Sequence, residues 1–157
     1  MSFLTTYAGK MLMTFLLAMV PVLELRFAIP YGVASGLSIW VSIAVSVLGN
    51  LVPAPLIILF IRRIFAWLRE KSQRLRSLVE RLEARAEGKK DVVRKYAFWG
   101  LVILVAIPLP GTGAWTGSLV AAMMNMRTKD ALPAIALGVV IAGVIVSVIT
   151  YGAKMVF

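Results

Sequence analysis

The chain contains no cysteine and no histidine. Disulfides, thiol nucleophiles, Cys/His metal sites and histidine general bases are therefore excluded. Acids are scarce: 157 residues carry 7 of them, Glu24, Glu70, Glu80, Glu83, Glu87, Asp91 and Asp130. No two are spaced as a carboxylate pair within an apolar segment, so hydrolytic or metal-dependent catalysis has almost nothing to work with. A Gly-rich phosphate loop with a following lysine is missing too, which argues against ATP-driven pumping by this chain. The expectation is a protein that is not an enzyme, with no catalytic residues, no metal and no cofactor.

Charge is missing from long stretches as well. Phe27–Ile61 is 35 residues without a charge, Tyr96–Met126 is 31 and Ala131–Ala153 is 23. Hydrophobic residues make up 61% of the chain and charged ones 15%, and mean hydropathy is +0.91. About 18 uncharged, mostly apolar residues already suggest a membrane span. The chain reads as one small integral membrane domain, multi-pass in the cell (inner) membrane. Lys10 ahead of the apolar run Met11–Val20 imitates a signal peptide. No small-x-small cleavage site follows before Glu24 and Arg26, so the segment is expected to be retained.

What charge there is sits together. Arg62–Lys95 holds 12 Lys/Arg against 5 Asp/Glu, out of a net charge of +10 for the chain. Between two apolar regions such a block reads as a cytoplasmic loop, and no nucleic-acid partner is expected. Within it, Leu68, Leu75 and Leu82 recur every seven residues, joined by Leu78 and Val79. That periodicity predicts an amphipathic helix over Ile64–Ala86. Arg76 and Glu80 are placed to pair on it, and Gly88 to stop it.

Prolines and glycines divide the apolar regions. Phe3–Val20 reads as a helix that Pro21 interrupts. Ser38–Phe60 is the next apolar segment, stopped by Arg62 and Arg63, with Asn50, Pro53 and Pro55 marking a kink. Tyr96–Ile107 and Ser118–Met126 are each too short to span about 30 Å. They flank Pro108-Leu-Pro-Gly-Thr-Gly-Ala-Trp-Thr-Gly117. Ala131–Ala153 is an adequate final span.

Two of these segments resemble each other. In each a proline is followed closely by Gly-x-x-x-Gly, with Gly32/Gly36 after Pro30 and Gly113/Gly117 after Pro110. If Tyr96–Met126 enters the membrane, turns at Pro108–Gly111 and returns, Arg127 and Lys129 lie on the same side as the basic block, in line with the positive-inside bias. The same logic makes Phe3–Gly36 a hairpin entering from the opposite side. The expected fold is all-α. It is an inverted repeat of a re-entrant helical hairpin plus a transmembrane helix, residues 1–61 and 96–157, joined by a cytoplasmic amphipathic helix within 62–95. Broken helices meeting at the midplane are a transporter plan.

Glu24 is the one acid inside an apolar stretch, and Arg26 stands two residues away. Intramembrane charges are costly and usually functional. A proton-titrating Glu24 beside an anion-binding Arg26 is weighed against a structural ion pair. Pro108, Pro110, Gly111, Thr112, Gly113, Trp115, Thr116 and Gly117 form the second candidate set. Their glycines permit close approach, freed N–H groups can bind an anion, and the threonines add hydroxyls. Pro30 and Gly32 are included as the first half's counterparts. The competing reading of the glycines is helix packing.

Glu24-Leu-Arg-Phe-Ala-Ile-Pro-Tyr-Gly32 together with Pro108–Gly117 resembles the family named putative small multidrug export protein, over nearly the whole chain. More remotely the arrangement resembles the DedA/VTT superfamily, whose members carry two opposed re-entrant hairpins and include polyprenyl-phosphate translocases and phospholipid scramblases. That resemblance implies an acid and arginine site at Glu24 and Arg26. The chain departs from it in having no arginine near the second Pro-Gly tip. The expected function is a transporter or flippase for an amphipathic anion such as a polyprenyl phosphate or phospholipid. The alternatives are a proton-coupled exporter of small cationic drugs and a non-transporting scaffold. Membrane lipids and a second copy of the chain, as a homodimer, are the expected partners.

Overall fold

The structure, a computed structural model, describes residues 6–88, 98–109 and 111–156, with side chains to 152. The described residues form helices joined by tight turns, with no strand among them. α1 (Tyr7–Met19) and α2 (Glu24–Ala34) make the first antiparallel pair. Pro21 has no N–H with which to continue α1, and the chain reverses over residues 20–23. Val22 (φ 77°) and Glu24 (φ 48°) take left-handed backbone there, at a cost of about 1–3 kcal/mol each that the surroundings must offset.

Ser38 caps α3 (Ile39–Leu51), its Oγ accepting the Val41 N–H at 3.3 Å. Pro53 and Pro55 withhold an N–H from the carbonyls of Gly49 and Leu51, and the regular helix is interrupted at Val52. α4 (Pro53–Lys71) then runs straight through Arg62 and Arg63, which were expected to stop it. Arginine is a good helix former whose long stem carries its charge outward, so charge ends the apolar run without ending the helix.

The single amphipathic helix expected over Ile64–Ala86 is two. Ser72 leaves the helical region (φ −165°, ψ 146°) and caps α5 (Gln73–Glu87) by accepting the Arg74 N–H at 3.3 Å. α5 folds onto α4, tied by an Arg69–Glu83 ion pair. Its buried face is Val79 and Ala86. Leu68, Leu75 and Leu82 are only partly covered, and Leu78 is exposed. Arg76 and Glu80 stay exposed without pairing; an exposed pair gains at most about 1 kcal/mol. Gly88 does cap the helix, its N–H reaching the Ala84 carbonyl at 3.1 Å.

The second antiparallel pair is α6 (Phe98–Ala106) and α7 (Ala114–Met123). α7 begins at Ala114 rather than near Ser118, so Trp115, Thr116 and Gly117 are helical. α8 (Thr128–Val156) closes the fold. Among the described residues two stretches are long and apolar enough to cross a membrane, Ile39–Lys71 of 33 residues and Thr128–Gly152 of 25. The first hairpin packs on α3 and the second on α8. The return helix of each, α2 and α7, also packs on the long helix of the other half. Leu25, Ile29, Leu101, Val105, Ile135 and Val139 fill the shared core.

The outward surface is apolar as well: Trp40 is 77% and Val148 68% exposed, while Thr14, Ser42, Ser46, Asn50 and Ser118 are buried. Apolar outside and polar inside is the distribution that a lipid surrounding favours. The Pro/Gly segments that look like a repeat do not occupy equivalent places. Gly113 stands at the second tip, directly before α7, whereas Gly32 lies eight residues beyond Glu24, late in α2. Tip to tip, Leu23–Glu24 matches Gly113–Ala114.

Candidate functional site

The two hairpins meet at their tips, and the residues that join them are polar. Glu24 is 3% exposed. Its Oε1 accepts the backbone N–H of Trp115 at 3.3 Å. The residue at the start of α7 is Gly113, which has no side chain to cap the helix. The missing cap is supplied from the other half of the chain by Glu24. An anion at a helix N-terminus gains about 0.3–1 kcal/mol, and more when partly buried. Glycine at 113 is required twice over. Its φ is +107°, and a Cβ there would overlap the carboxylate, lying 2.8 Å from Glu24 Cδ.

Arg26 holds the neighbouring turn. Its Nη2 donates to the Thr112 carbonyl at 2.8 Å and to Thr112 Oγ1 at 3.0 Å, and lies 3.8 Å from Glu24 Oε2. Two residues apart in a regular helix the charges would diverge; the left-handed turn at Glu24 brings them together. Thr112 Oγ1 has one proton to give, to the carbonyl of Ile107 (2.6 Å) or Leu109 (2.7 Å), and it accepts the Leu109 N–H at 3.2 Å. The hydroxyl thereby closes its own turn while receiving Arg26. Trp115 Nε1 donates to the Met19 carbonyl at 3.0 Å, pairing an acceptor at the end of α1 that the turn leaves over.

At the other end of α7, Arg62 Nη2 reaches the Met123 carbonyl at 3.4 Å. The helix is therefore held by an acid at its positive end and a base at its negative end. Both come from the first half of the chain.

Of the residues singled out in the sequence, the structure brings together Glu24, Arg26, Thr112, Gly113 and Trp115. Pro108 and Gly111 belong to the same turn, and Gly111 (φ +82°) faces open space. Thr116 bonds to neither charge. Pro30 and Gly32 lie apart, Gly32 about 12 Å along α2 from Glu24 at 1.5 Å per residue. A Cβ at Gly32 would come within 2.6 Å of Ser42 Oγ, and one at Gly117 would strike Val105. Both glycines thus serve packing within the molecule. Pro110 lies outside the described residues. Among the described residues no cluster of acids could hold a metal ion.

The chemistry follows from what is used up. Glu24 is enclosed and already accepts the Trp115 N–H, and the anion seated at the second tip is this carboxylate rather than a solute. Arg26 is the more open of the two, 15% against 4% for the side chains. Its bonds to the opposite tip run through one nitrogen, so the rest of its five-donor fork can take an acceptor. Sequence reasoning missed the Met19 carbonyl, which has no side-chain signal. It also missed Arg62, which it read only as part of the basic block.

A family model described as "Putative small multi-drug export protein" matches residues 24–145, from Glu24 through the second tip into α8. No curated protein and no solved structure matches the chain.

Proposed function

Since the chain belongs to the Putative small multi-drug export protein family, we propose that it is a membrane transporter whose site lies where the two hairpin tips meet, and that it moves an amphipathic anion, with a lipid phosphate such as a polyprenyl phosphate or phospholipid as the substrate class. The observation that carries this reading is Arg26, which bonds the Thr112 carbonyl and hydroxyl across the tips while part of its guanidinium stays open.

In this reading both hairpins are re-entrant, and Ile39–Lys71 and Thr128–Gly152 cross the inner membrane. The basic arm of α4 and α5 lies on the cytoplasmic side. A phosphate offers paired oxygens to the planar guanidinium and competes with Thr112 for it. Losing Arg26 loosens the turn that Thr112 closes, so substrate binding and opening of the second tip are one event. Glu24 keeps α7 in place meanwhile, and it is the only acid at the tips. The apolar tail stays in lipid against the exposed flanks. The chain works as a homodimer, because few helices cover much irregular backbone.

A second reading, export of small cationic drugs with Glu24 as the cation site, is favoured by the family's description. The enclosure of Glu24 beneath the Trp115 N–H counts against it. Transport in proteoliposomes, with an anionic lipid and a cationic dye as rival substrates, tests both. Arg26→Lys should slow lipid movement at least about tenfold, the loss of one bidentate charged contact, and Glu24→Gln should change its pH dependence. Wild-type behaviour of both correctly inserted variants, with either substrate, would overturn this site assignment.

A further inference from the structure

α3 carries a polar stripe that the tip site does not absorb. Ser38, Ser42, Ser46 and Asn50 stand four residues apart in an otherwise apolar helix. Residues at this spacing share a helix face, and over 12 residues the stripe rises about 18 Å. The lipid-side residues are apolar (Trp40, Leu48), while Ser42 and Ser46 are 0% and Asn50 1% exposed. Three of the four, Ser42, Ser46 and Asn50, have been turned inward, and Ser38 stands exposed at the end of the stripe.

Two of them have nothing to bond. Ser46 Oγ and Asn50 Oδ1 are buried and without a hydrogen-bond partner. Ser46 is the exception among its kind. Thr14, Ser42, Ser118 and Ser147 all donate to the carbonyl four residues back. A buried polar atom without a partner costs about 1–3 kcal/mol, and such atoms in native proteins usually meet an ordered water. The spacing fits one. Cβ atoms at i and i+4 are about 5–6 Å apart, and two hydrogen bonds of about 2.8 Å end to end cover that distance. Gly49 lies between the two in sequence, and a Cβ on it would strike the Phe15 carbonyl oxygen of α1, so α1 lies close over this part of α3.

We propose that this stripe is an internal hydrated track, with water bridging Ser46 and Asn50, leading from the Ser38 end of the first hairpin to the tips. Water suits the pair because it brings two donors, one for Ser46 Oγ and one for Asn50 Oδ1. A bare cation would find no fixed negative charge on the stripe and would be expensive to bury. The far end is the tip itself: Gly49 packs on Ala18 (3.0 Å from its Cβ position), one residue from Met19, whose carbonyl holds Trp115 beside Glu24. The near end opens at exposed Ser38 and at Gly36, where Lys10 Nζ lies 3.7 Å from the Cβ position. The charged groups along the way are thus Lys10 at the mouth and Arg26 with Glu24 at the tips. The track deepens the transport reading by giving Glu24 a water connection toward the end remote from the basic arm.

The test needs no substrate, so its failure is separate from failure of that reading. The chain has no native cysteine, so a single introduced thiol gives a unique infrared S–H band whose conversion to S–D on transfer to heavy water reports contact with water. Ser46→Cys in the full chain in bilayers should exchange at least about tenfold faster than Val139→Cys in the dry core, where exchange waits on local opening. Adding Asn50→Leu should slow it again. Ser42→Cys supplies the same reading if Ser46→Cys does not fold, folding being judged by helical circular dichroism. Exchange at the stripe as slow as at Val139, in folded protein, overturns the track.

Discussion

Glu24 and Trp115 are 91 positions apart, yet the carboxylate of the first caps the helix in which the second lies. The half that holds the charges and the half that holds the capless helix are thus complementary, and the interface between them can be tested residue by residue.

Removing the cap should cost more than removing its charge. Glu24→Ala leaves the Trp115 N–H without an acceptor and Arg26 without its counter-charge in a closed site, and should lower unfolding stability in detergent by about 1–3 kcal/mol. Glu24→Gln keeps an acceptor of the same shape and should cost less. Equal melting of Glu24→Ala and wild type would remove the cap from the account.

The two tip glycines should respond unequally to alanine. Gly113→Ala meets both a φ of +107° and the Glu24 carboxylate, whereas Gly111→Ala meets a φ of +82° and empty space. Left-handed alanine alone costs about 1–2 kcal/mol, so Gly111→Ala should lose roughly that and Gly113→Ala clearly more. Thermal unfolding of the two variants side by side checks the order.

Arg26 and Thr112 should be coupled. In a cycle of Arg26→Gln, Thr112→Val and the double variant, groups sharing a hydrogen bond show an interaction of about 0.5–3 kcal/mol. Additive losses would mean that Arg26 leans only on the carbonyl of residue 112, which valine also supplies.

Trp115→Phe keeps an aromatic ring, though a smaller one, and deletes the bond to the Met19 carbonyl. A loss of about 1 kcal/mol is expected, visible as a lower unfolding midpoint with unchanged helix content.

On sidedness, Ser77→Cys in α5 and Thr128→Cys at the start of α8 should react alike with an impermeant thiol reagent added from either side of the membrane. Labelling of Thr128→Cys from outside, with Ser77→Cys protected, would defeat the re-entrant second hairpin.

Much of this was legible in the residues. Pro21 and the Pro108–Gly111 segment marked both turns, and the uncharged stretches marked both long helices. Glu24 and Arg26 stood out because charge is rare there. The start of α7 was not legible: Trp-Thr set among glycines has low helix propensity, and the group that stabilises it lies in the other half. The break at Ser72 was hidden among neighbours that are all polar. The apparent glycine repeat misled because short Gly-x-x-x-Gly patterns serve equally as tips and as packing faces.

The separation between Glu24 and its cap also sets an order of events during synthesis. A ribosome makes the first hairpin well before Trp115 exists, and domains assemble as their parts emerge. Until then Glu24 has only Arg26 for company, and in the re-entrant reading proposed above an ionised group within a bilayer costs about 2.5–3.5 kcal/mol on insertion scales. On that reading the early half of the chain should wait incompletely seated. Arrival of α7, offering an N–H to the acid at one end and a carbonyl to Arg62 at the other, is what lets it settle. A nascent chain halted before residue 114 should accordingly be a preferred target for membrane proteases, and one released after residue 123 should escape them.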